Sequence, residues 1–338
     1  MGDALDFLVK GKVDIASVEE YLDGMGYTPK GLTQPYRHVV GKVDMSGKDF
    51  FFKMASRPQL SVYIENEFAW LKMVEKEGLD KEWRLRIPRV YKLGRKGNLS
   101  WWIGEYISGV SADDDSSFLG DALEPTAQIV KNIMEIKLPH KMPLDVENVR
   151  STIVEKLDAY ENRVSRDISH LLAFLNENKD WVQIAPARGD IGAGSFITAF
   201  KKTPDFQSGD ELNADMPSSF RGNPAFQSGE DVIKGEDKKI WFIDWEYATR
   251  TNIKFYDVSY FQYRLFVNVG KADWAEEYMK AFRNIYKFNK KDERALHWMN
   301  VYRLVGGYNE ADKRPELFER VKEWEKLVMQ AVSILTRG

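Results

Sequence analysis

Cysteine is absent from this chain of 338 residues. The absence excludes disulfides, thiol nucleophiles and thiolate metal sites, and it suits a reducing compartment. A strong excess of one charge sign is also missing, because 49 Lys and Arg residues stand against 52 Asp and Glu residues. The formal net charge of -3 argues against a strongly electrostatic nucleic-acid binder. We therefore expect no nucleic acid among the partners.

Long hydrophobic runs are missing as well. No uncharged apolar stretch is long enough to span a bilayer. The first residues lack the basic start and apolar run of a signal peptide, and Asp6 stands where a myristoylation motif needs Ser or Thr. These absences predict a cytoplasmic protein without a membrane partner. A hydrophobic content of 43% is nevertheless enough for a substantial core, and the length allows two lobes of ordinary size.

The periodicity of apolar residues divides the chain into a β-rich first third and a mostly helical remainder. A short helix over residues 14–25 precedes four predicted strands and one further helix. The predicted strands are 38–43, 49–54, 88–93 and 99–106, and that helix lies between Ile64 and Glu77. Residues 107–110 look like a connector, which predicts a lobe boundary there. Beyond it, helical periodicity covers 124–138, 144–177, 271–287, 290–306 and 314–336.

Residues 202–238 interrupt the second part with a polar stretch rich in Gly, Pro, Ser and Asp. The stretch nearly repeats itself, because Pro204-Asp205-Phe206-Gln207-Ser208-Gly209 returns as Pro224-Ala225-Phe226-Gln227-Ser228-Gly229. Such a composition is typical of a disordered surface insertion. Its two Phe residues in matching frames leave a lid or the binding of a partner protein as alternatives.

Two short motifs carry the chemistry that the sequence indicates. Arg188-Gly189-Asp190 places an Asp in a Gly-containing loop, where a carboxylate can orient a hydroxyl group. Ile243-Asp244-Trp245-Glu246 places a second Asp at the end of an apolar strand, where it can hold a metal that carries a nucleotide's phosphates. These are the two carboxylate roles that phosphoryl transfer requires.

A cation for the phosphates, and an anchor for that cation, are also present. Lys53 lies in an apolar predicted strand, and Glu67 lies on the following helix, so the two residues are candidates for an ion pair. Glu65 is the rival anchor, but two residues along a helix it points elsewhere. Taken alone, Lys53 is better explained as an edge-strand Lys that discourages aggregation, but its order with Glu67, Asp190 and Asp244 favours a functional role.

In these motifs the chain resembles the aminoglycoside phosphotransferase and choline kinase family. The resemblance runs from about Lys42 to Phe261 without the 202–238 insertion. That family's catalytic loop reads His-Gly-Asp, four residues, then Asn, and its metal-binding strand reads Ile-Asp-Trp/Phe-Glu. The resemblance implies an α+β, two-lobed, protein-kinase-like fold with a small β-rich N-lobe and a larger, mostly helical C-lobe. We place the nucleotide-binding lobe at 1–107 and the catalytic and substrate lobe at 108–338.

The resemblance also implies roles for single residues. Asp190 would be the catalytic base, Asp244 the principal Mg²⁺ ligand, and Lys53 the phosphate contact. Glu105 and Tyr106 would lie in the hinge that meets the adenine of ATP. Asp257, in Phe255-Tyr256-Asp257-Val258, would be structural and brace the catalytic loop.

This sequence departs from the family pattern at two positions of the loop. Ser195 stands in place of the Asn that binds the second metal, and a Ser hydroxyl is a shorter Mg²⁺ ligand. Arg188 stands in place of the His, where it could brace the loop, contact a phosphate, or form a surface salt bridge. A glycine-rich phosphate loop is not visible either, although residues 31–34 occupy roughly its place.

The acceptor is predicted from aromatic residues near the second motif. Glu246-Tyr247-Ala248 is similar to the choline kinase branch, so Trp245, Glu246, Tyr247 and Tyr260 are candidate contacts of the acceptor. The aromatic residues expected around this pocket, whose ring faces suit an amine, are Trp245, Tyr247, Tyr256, Tyr260 and Phe261. The alternative is that they are core aromatics of the large lobe.

The sequence therefore predicts an enzyme, an ATP- and Mg²⁺-dependent kinase. It would move the γ-phosphate to a hydroxyl of a small molecule, such as an amino alcohol or an aminoglycoside-like amine. The alternative is a catalytically silent nucleotide-binding protein that acts through a partner bound at 202–238. A protein kinase is disfavoured because no activation segment ends in Ala-Pro-Glu.

Overall fold

A computed structural model describes residues 12–78, 85–136, 146–199 and 239–337. The insertion predicted at 202–238 lies outside the described residues. Among the helices that the structure describes, none is both long and apolar enough to cross a bilayer. The chain forms two compact units. The first unit comprises Met1–Phe118 and Gly194–Tyr247, and the second comprises Leu119–Ala193 and Ala248–Gly338. The lobe boundary expected at residue 107 stays a prediction.

The first unit is built on an antiparallel sheet of five strands in the order β1-β2-β3-β5-β4. The strands are β1 (Thr28–Thr33), β2 (His38–Met45), β3 (Lys48–Ala55), β4 (Val90–Lys96) and β5 (Leu99–Glu105). The hairpin between β2 and β3 turns at Ser46 and Gly47, both with positive φ angles of 56° and 78°. Such a pair matches the right-handed twist of the strands, so the turn expected from the sequence is confirmed.

Two helices accompany this sheet, α1 (Ile15–Asp23) and α2 (Ser61–Glu77). The α2 residues Ile64, Leu71 and Val74 are buried at helical spacing, and Glu67 lies in the same stripe with 2% exposure. The helix ends at Gly78, whose left-handed conformation has a φ of 64°. Because α2 packs on β3 and β5, its apolar face also carries the carboxylate of Glu67 into the interior.

A second sheet of the first unit carries the later motif. Its strands are β6 (Val110–Ser111), β8 (Phe196–Ala199) and β9 (Lys239–Phe242), in the order β6-β8-β9. Just after β9, the amide of Ile243 donates to the carbonyl of Ser195 at 2.9 Å. This bond fixes the chain where it leaves the sheet towards Asp244.

The second unit is mostly helical, with one antiparallel strand pair, β7 (Ile184–Ala187) and β10 (Thr249–Ile253). Its helices pack around a core to which Tyr263, Trp298 and Trp324 contribute. The α-helices described in this unit are α3 (Leu119–Glu135), α4 (Val146–Glu161), α5 (Ser169–Glu177), α6 (Tyr256–Tyr263), α7 (Ala272–Ile285), α8 (Lys290–Lys313) and α9 (Phe318–Arg337).

Two details differ from the sequence prediction. Strand β1 is not among the strands expected from the sequence, and Gly31 to Thr33 belong to it. The continuous helix expected over 144–177 is two helices, α4 and α5, because the chain is not helical between Glu161 and Ser169. Ile168, just before α5, is buried with 4% exposure. Its burial in the core, rather than the helical periodicity of the sequence, therefore sets the conformation of the chain between the two helices.

Candidate functional site

Lys53 and Glu67 form the ion pair that the sequence predicts. The Lys53 ammonium donates to Glu67 Oε2 at 2.9 Å, and the indole of Trp102 donates to the same oxygen at 3.2 Å. Both charged residues are buried, at 8% and 2% exposure. The rival Glu65 instead binds Arg95 and Ser100. The predicted pair is confirmed.

Two further carboxylates lie against Lys53. Its ammonium is 3.2 Å from Asp244 Oδ1 and 3.3 Å from Glu246 Oε2. Carboxylate oxygens of Glu67, Asp244 and Glu246 all lie within 4.8 Å of one another. Burial lowers the pKa of the Lys53 ammonium, but attraction to Glu67 and Asp244 outweighs it and raises the pKa overall. Lys53 is therefore the charged centre of an acidic cluster.

Glu246 is held by two more basic residues that the sequence analysis left without a role. Arg37 forms an ion pair with Glu246 Oε1, and His38 Nε2 lies 2.8 Å from Glu246 Oε2. Burial, followed by the charges of Lys53 and Arg37, lowers the pKa of His38 to about 2. The imidazole is consequently neutral, and its Nε2 lies within hydrogen-bond distance of the carboxylate. These partners are more than 200 residues apart in the chain, so no local pattern could reveal them.

The acidic cluster fits a magnesium ion bound chiefly through Asp244. Lys53 and Arg37 match two of the three negative charges, which leaves the cluster anionic. Glu67 and Glu246 have nearly no exposed side-chain surface, whereas the Asp244 side chain is 42% exposed. Mg²⁺ prefers hard oxygen ligands and is commonly held by one or two carboxylates together with substrate phosphates. Asp244 is the carboxylate of this cluster that is open to such a ligand.

The remaining residues predicted near Asp244 occupy different environments. Ser195 is buried at 4% exposure, beside the strand that leads to Asp244. Trp245 is fully buried, and its amide and indole donate to Glu67 Oε1 and to the carbonyl of Phe242. The Tyr247 ring packs against Tyr63 and carries the Arg37 guanidinium at 4.9 Å from its centroid. Trp245 thus has the contacts of a core residue.

Glu105 and Tyr106 lie at the end of β5, as the hinge prediction requires. The Glu105 amide donates to the carbonyl of Arg89 at 2.7 Å, and its carboxylate accepts from the Arg89 amide. Tyr106 follows directly, with the Lys42 ammonium over its ring at 5.3 Å. The role of this segment in binding adenine stays a prediction.

Asp257 braces the loop that carries Asp190, as the sequence analysis expects. Its two carboxylate oxygens accept from the amides of Arg188 and Gly189, at 2.6 and 2.7 Å. Asp257 is buried with 1% exposure, and burial raises the pKa of its carboxyl to about 6 against the lowering effect of those amides. All three residues belong to the second unit.

Arg188 is a buried brace rather than a surface residue. It is 1% exposed, and its guanidinium donates to the carbonyls of Gly189 and Asp190 at 2.9 and 2.8 Å. A surface salt bridge is therefore excluded. These contacts tie the Arg188 side chain to the backbone of the loop that carries Asp190.

Both motif carboxylates sit on left-handed backbone. Asp190 has a φ of 50° and Asp244 a φ of 66°. Non-glycine residues in this region are uncommon and cluster at functional sites, although Asp tolerates the conformation better than most residues. Folding therefore holds these two side chains in directions that regular structure would not provide.

Asp190 is held from outside its loop by Arg264, which the sequence did not indicate. The Tyr260 hydroxyl accepts from Arg264 at 2.6 Å. The Arg264 guanidinium is also 3.8 Å from Asp190 Oδ1. Arg264 opens a π-helical turn, Arg264–Val269, of the kind that often marks functional sites. The Asp190 side chain itself remains 47% exposed.

Replacing Asp257 with Asn is expected to change how stability depends on pH. Because the pKa of Asp257 rises from 3.8 to about 6 on folding, the folded state binds this proton more tightly than the unfolded state. Its contribution to stability therefore falls as pH rises from about 4 to about 6, by on the order of 3 kcal/mol. The variant lacks this slope, although losing an acceptor for one amide destabilises it by about 1–3 kcal/mol throughout.

Urea unfolding of both proteins between pH 4 and 7 measures this difference. The free energy of unfolding of the wild type minus that of Asp257→Asn should shrink as pH rises. A difference that is constant or grows with pH would contradict the account of the brace.

Comparisons with known proteins agree with this architecture. In sequence, no protein-family model and no curated protein matches the chain. In structure, it is similar to spectinomycin phosphotransferase APH(9)-Ia, solved with ADP and spectinomycin. There the TM-score is 0.55, with 13% identity over 94% of this chain and 98% of the other.

Two further solved structures show the same similarity. One is a thermostable aminoglycoside phosphotransferase APH(4)-Ia with ADP and hygromycin B, with a TM-score of 0.52 and 14% identity over 95% of this chain and 98% of the other. The other is a microcompartment-associated aminopropanol kinase, with a TM-score of 0.52 and 11% identity over 96% and 97%. The chain therefore has the kinase-like α+β fold implied by its motifs, the fold of the aminoglycoside phosphotransferases and of this aminopropanol kinase.

Proposed function

We propose that this protein is a kinase of small molecules, which transfers the γ-phosphate of ATP to a hydroxyl group. The observation that carries the proposal is the buried contact of Lys53 with both Glu67 and Asp244. A paired Lys beside a metal-binding Asp is the arrangement that phosphoryl transfer uses to neutralise phosphate charge. The kinase-like fold supports the same conclusion.

The first unit takes the nucleotide in this proposal. Lys53 contacts the phosphates, Glu67 holds Lys53, and Glu105 and Tyr106 meet the adenine. The ADP in two of the similar structures supports ATP as the donor. Asp244, with Ser195 nearby, holds Mg²⁺, which when bound supplies positive charge to the phosphates. Glu246 belongs to this cluster and, through Arg37 and His38, keeps it in place.

Asp190 acts on the acceptor in this proposal. Its carboxylate accepts the proton of the attacking hydroxyl as the oxygen–phosphorus bond forms and the bond to the bridging oxygen of ADP breaks. Asp257 and Arg188 fix the loop, while Arg264, which is bound to Tyr260, holds the carboxylate. A base needs such restraint because small misplacements cost much of the rate.

An amine-bearing acceptor is the finer form of the proposal. The similar structures include an aminopropanol kinase and phosphotransferases of aminoglycosides, which supports an amino alcohol or an aminoglycoside-like amine. The predicted aromatic contacts receive less support. Trp245 is fully buried, and arginine guanidinium groups already lie over the rings of Tyr247 and Tyr260.

The test is to incubate the protein with Mg-ATP and a broad extract of small metabolites, and to search by mass spectrometry for species that gain one phosphate. A product that disappears with Asp190→Asn supports the proposal and identifies the acceptor class. ATP binding without any product would favour the silent nucleotide-binding protein, which the small, buried Ser195 motivates. Ser195→Asn then separates the two: it changes a live enzyme modestly and could restore a silent one.

A further inference from the structure

The second unit encloses a small cavity beside the catalytic loop, formed by α4, α6 and α8. Its walls include Lys156, Tyr160, Tyr256, Tyr260, Tyr302 and Arg303, and we call it the tyrosine pocket. Its volume is ≈ 50 Å³. Complete ligand sites are usually several times larger, so this cavity suits one small functional group rather than a whole substrate.

The tyrosine pocket adjoins Asp190. Tyr260 is one of its walls and accepts a hydrogen bond from Arg264, whose guanidinium is 3.8 Å from Asp190 Oδ1. Tyr256, another wall, stacks on Tyr260 with ring centroids 5.5 Å apart, and the charge of Asp190 acts on it too. All of these residues belong to the second unit. A group in the pocket would stand beside the reacting hydroxyl.

Cations already occupy the aromatic surface of this pocket. The guanidinium of Arg303 lies 4.6 Å from the Tyr260 centroid and 4.0 Å from that of Tyr263, and Arg264 lies 4.9 Å from Tyr260. Both arginines share Glu310 as an ion-pair partner, at 3.0 Å each. An ammonium group of the acceptor would meet like charge here. The face of the Tyr260 ring that would attract an amine is therefore already occupied by guanidinium groups.

Lys156 adds a positive charge to the pocket, and no carboxylate among the described residues forms an ion pair with it. It lines the pocket from α4 and reaches solvent. An anion placed against Lys156 would form a charge-assisted hydrogen bond.

We propose that the tyrosine pocket binds an anionic group of the acceptor, a carboxylate or a phosphate, and that Lys156 is its contact. The inference rests on the proposed kinase function and narrows its substrate class. The acceptor then carries an acidic group beside its hydroxyl, whether or not it also carries an amine. Lys156 would select among acceptors and take no part in the transfer itself.

Binding measured by ligand-observed NMR tests the pocket without requiring turnover. Four probes each carry a hydroxyl group. Glycerate adds a carboxylate and glycerol 3-phosphate adds a phosphate. Serine adds both an amine and a carboxylate, and ethanolamine adds an amine alone. Anionic probes should bind the wild type more tightly than ethanolamine. Lys156→Met should weaken the best anionic probe by roughly 10- to 100-fold, the range of a hydrogen bond to a charged group. Lys156→Arg should restore most of this affinity.

Lys280→Met is the matched control, because Lys280 is an exposed Lys on α7 of the same unit. It should leave all binding unchanged. The inference is overturned if no anionic probe binds the wild type, if ethanolamine binds best, or if Lys156→Met behaves like the control. Which of glycerate and glycerol 3-phosphate binds better decides between carboxylate and phosphate.

Turnover of the same probes with Mg-ATP separates the two proposals. Phosphorylation of ethanolamine in preference to the acidic probes would uphold the kinase and overturn the pocket. Lys156-dependent binding without any transfer would uphold the anion site and count against the kinase.

Discussion

Replacing Asp190 with Asn is expected to lower the rate of phosphoryl transfer by roughly 100- to 10,000-fold, the contribution of a general base. The substitution is nearly isosteric but leaves no group that can accept the acceptor's proton. Because the Asp190 side chain is half exposed, folding should not depend on its charge. The measurement is kcat for the acceptor found in the metabolite search, together with the melting temperature.

Asp180→Asn serves as the control, since Asp180 is an exposed carboxylate of the same unit. It should transfer phosphate at the wild-type rate. A loss below about threefold in Asp190→Asn would remove this residue as the base, because it is smaller than the effect of general base catalysis.

Replacing Lys53 with Ala should damage both stability and nucleotide binding. The substitution leaves Glu67 and Glu246 buried without their shared cation, and breaking a buried ion pair costs on the order of 3–5 kcal/mol. ATP should also bind more weakly, because its phosphates lose their contact. Chemical denaturation gives the free energy of unfolding, and titration with Mg-ATP gives the affinity.

A double variant separates charge from packing at this position. Lys53→Met combined with Glu67→Gln removes both members of the pair, and it should be more stable than Lys53→Met alone. Lys48→Ala is the control, since Lys48 is exposed at the start of the same strand. If Lys53→Ala were as stable as Lys48→Ala, the acidic cluster would not depend on Lys53.

The residues that the sequence places correctly are those with a local signal. Lys53 in an apolar strand and Glu67 in the buried stripe of α2 stand out from their neighbours, whereas the role of Asp257 follows from the family resemblance. Their contacts in the structure match the expected pairs. Short-range patterning records which face of a helix or strand is buried, so it can also place a polar residue on that face.

The residues that the sequence missed depend on contacts between distant segments. Arg37 and His38 meet Glu246 from more than 200 residues away, and nothing near them distinguishes them from ordinary polar residues. Arg303 reaches Tyr260 and Tyr263 from another helix. Such pairs are decided by how elements pack, which one sequence does not record. The predicted amine cage shows the same limit, because Trp245 proved to be part of the core.

In the proposed reaction, Asp244 serves the metal-bound nucleotide and Asp190 serves the acceptor. The most direct test is a calorimetric titration of Mg-ATP into the wild type, Asp190→Asn and Asp244→Asn. We expect wild-type affinity for Asp190→Asn and an affinity for Asp244→Asn that is reduced and no longer depends on Mg²⁺. Equal effects of both substitutions on nucleotide affinity, or a wild-type affinity in Asp244→Asn, would rule out this division of roles.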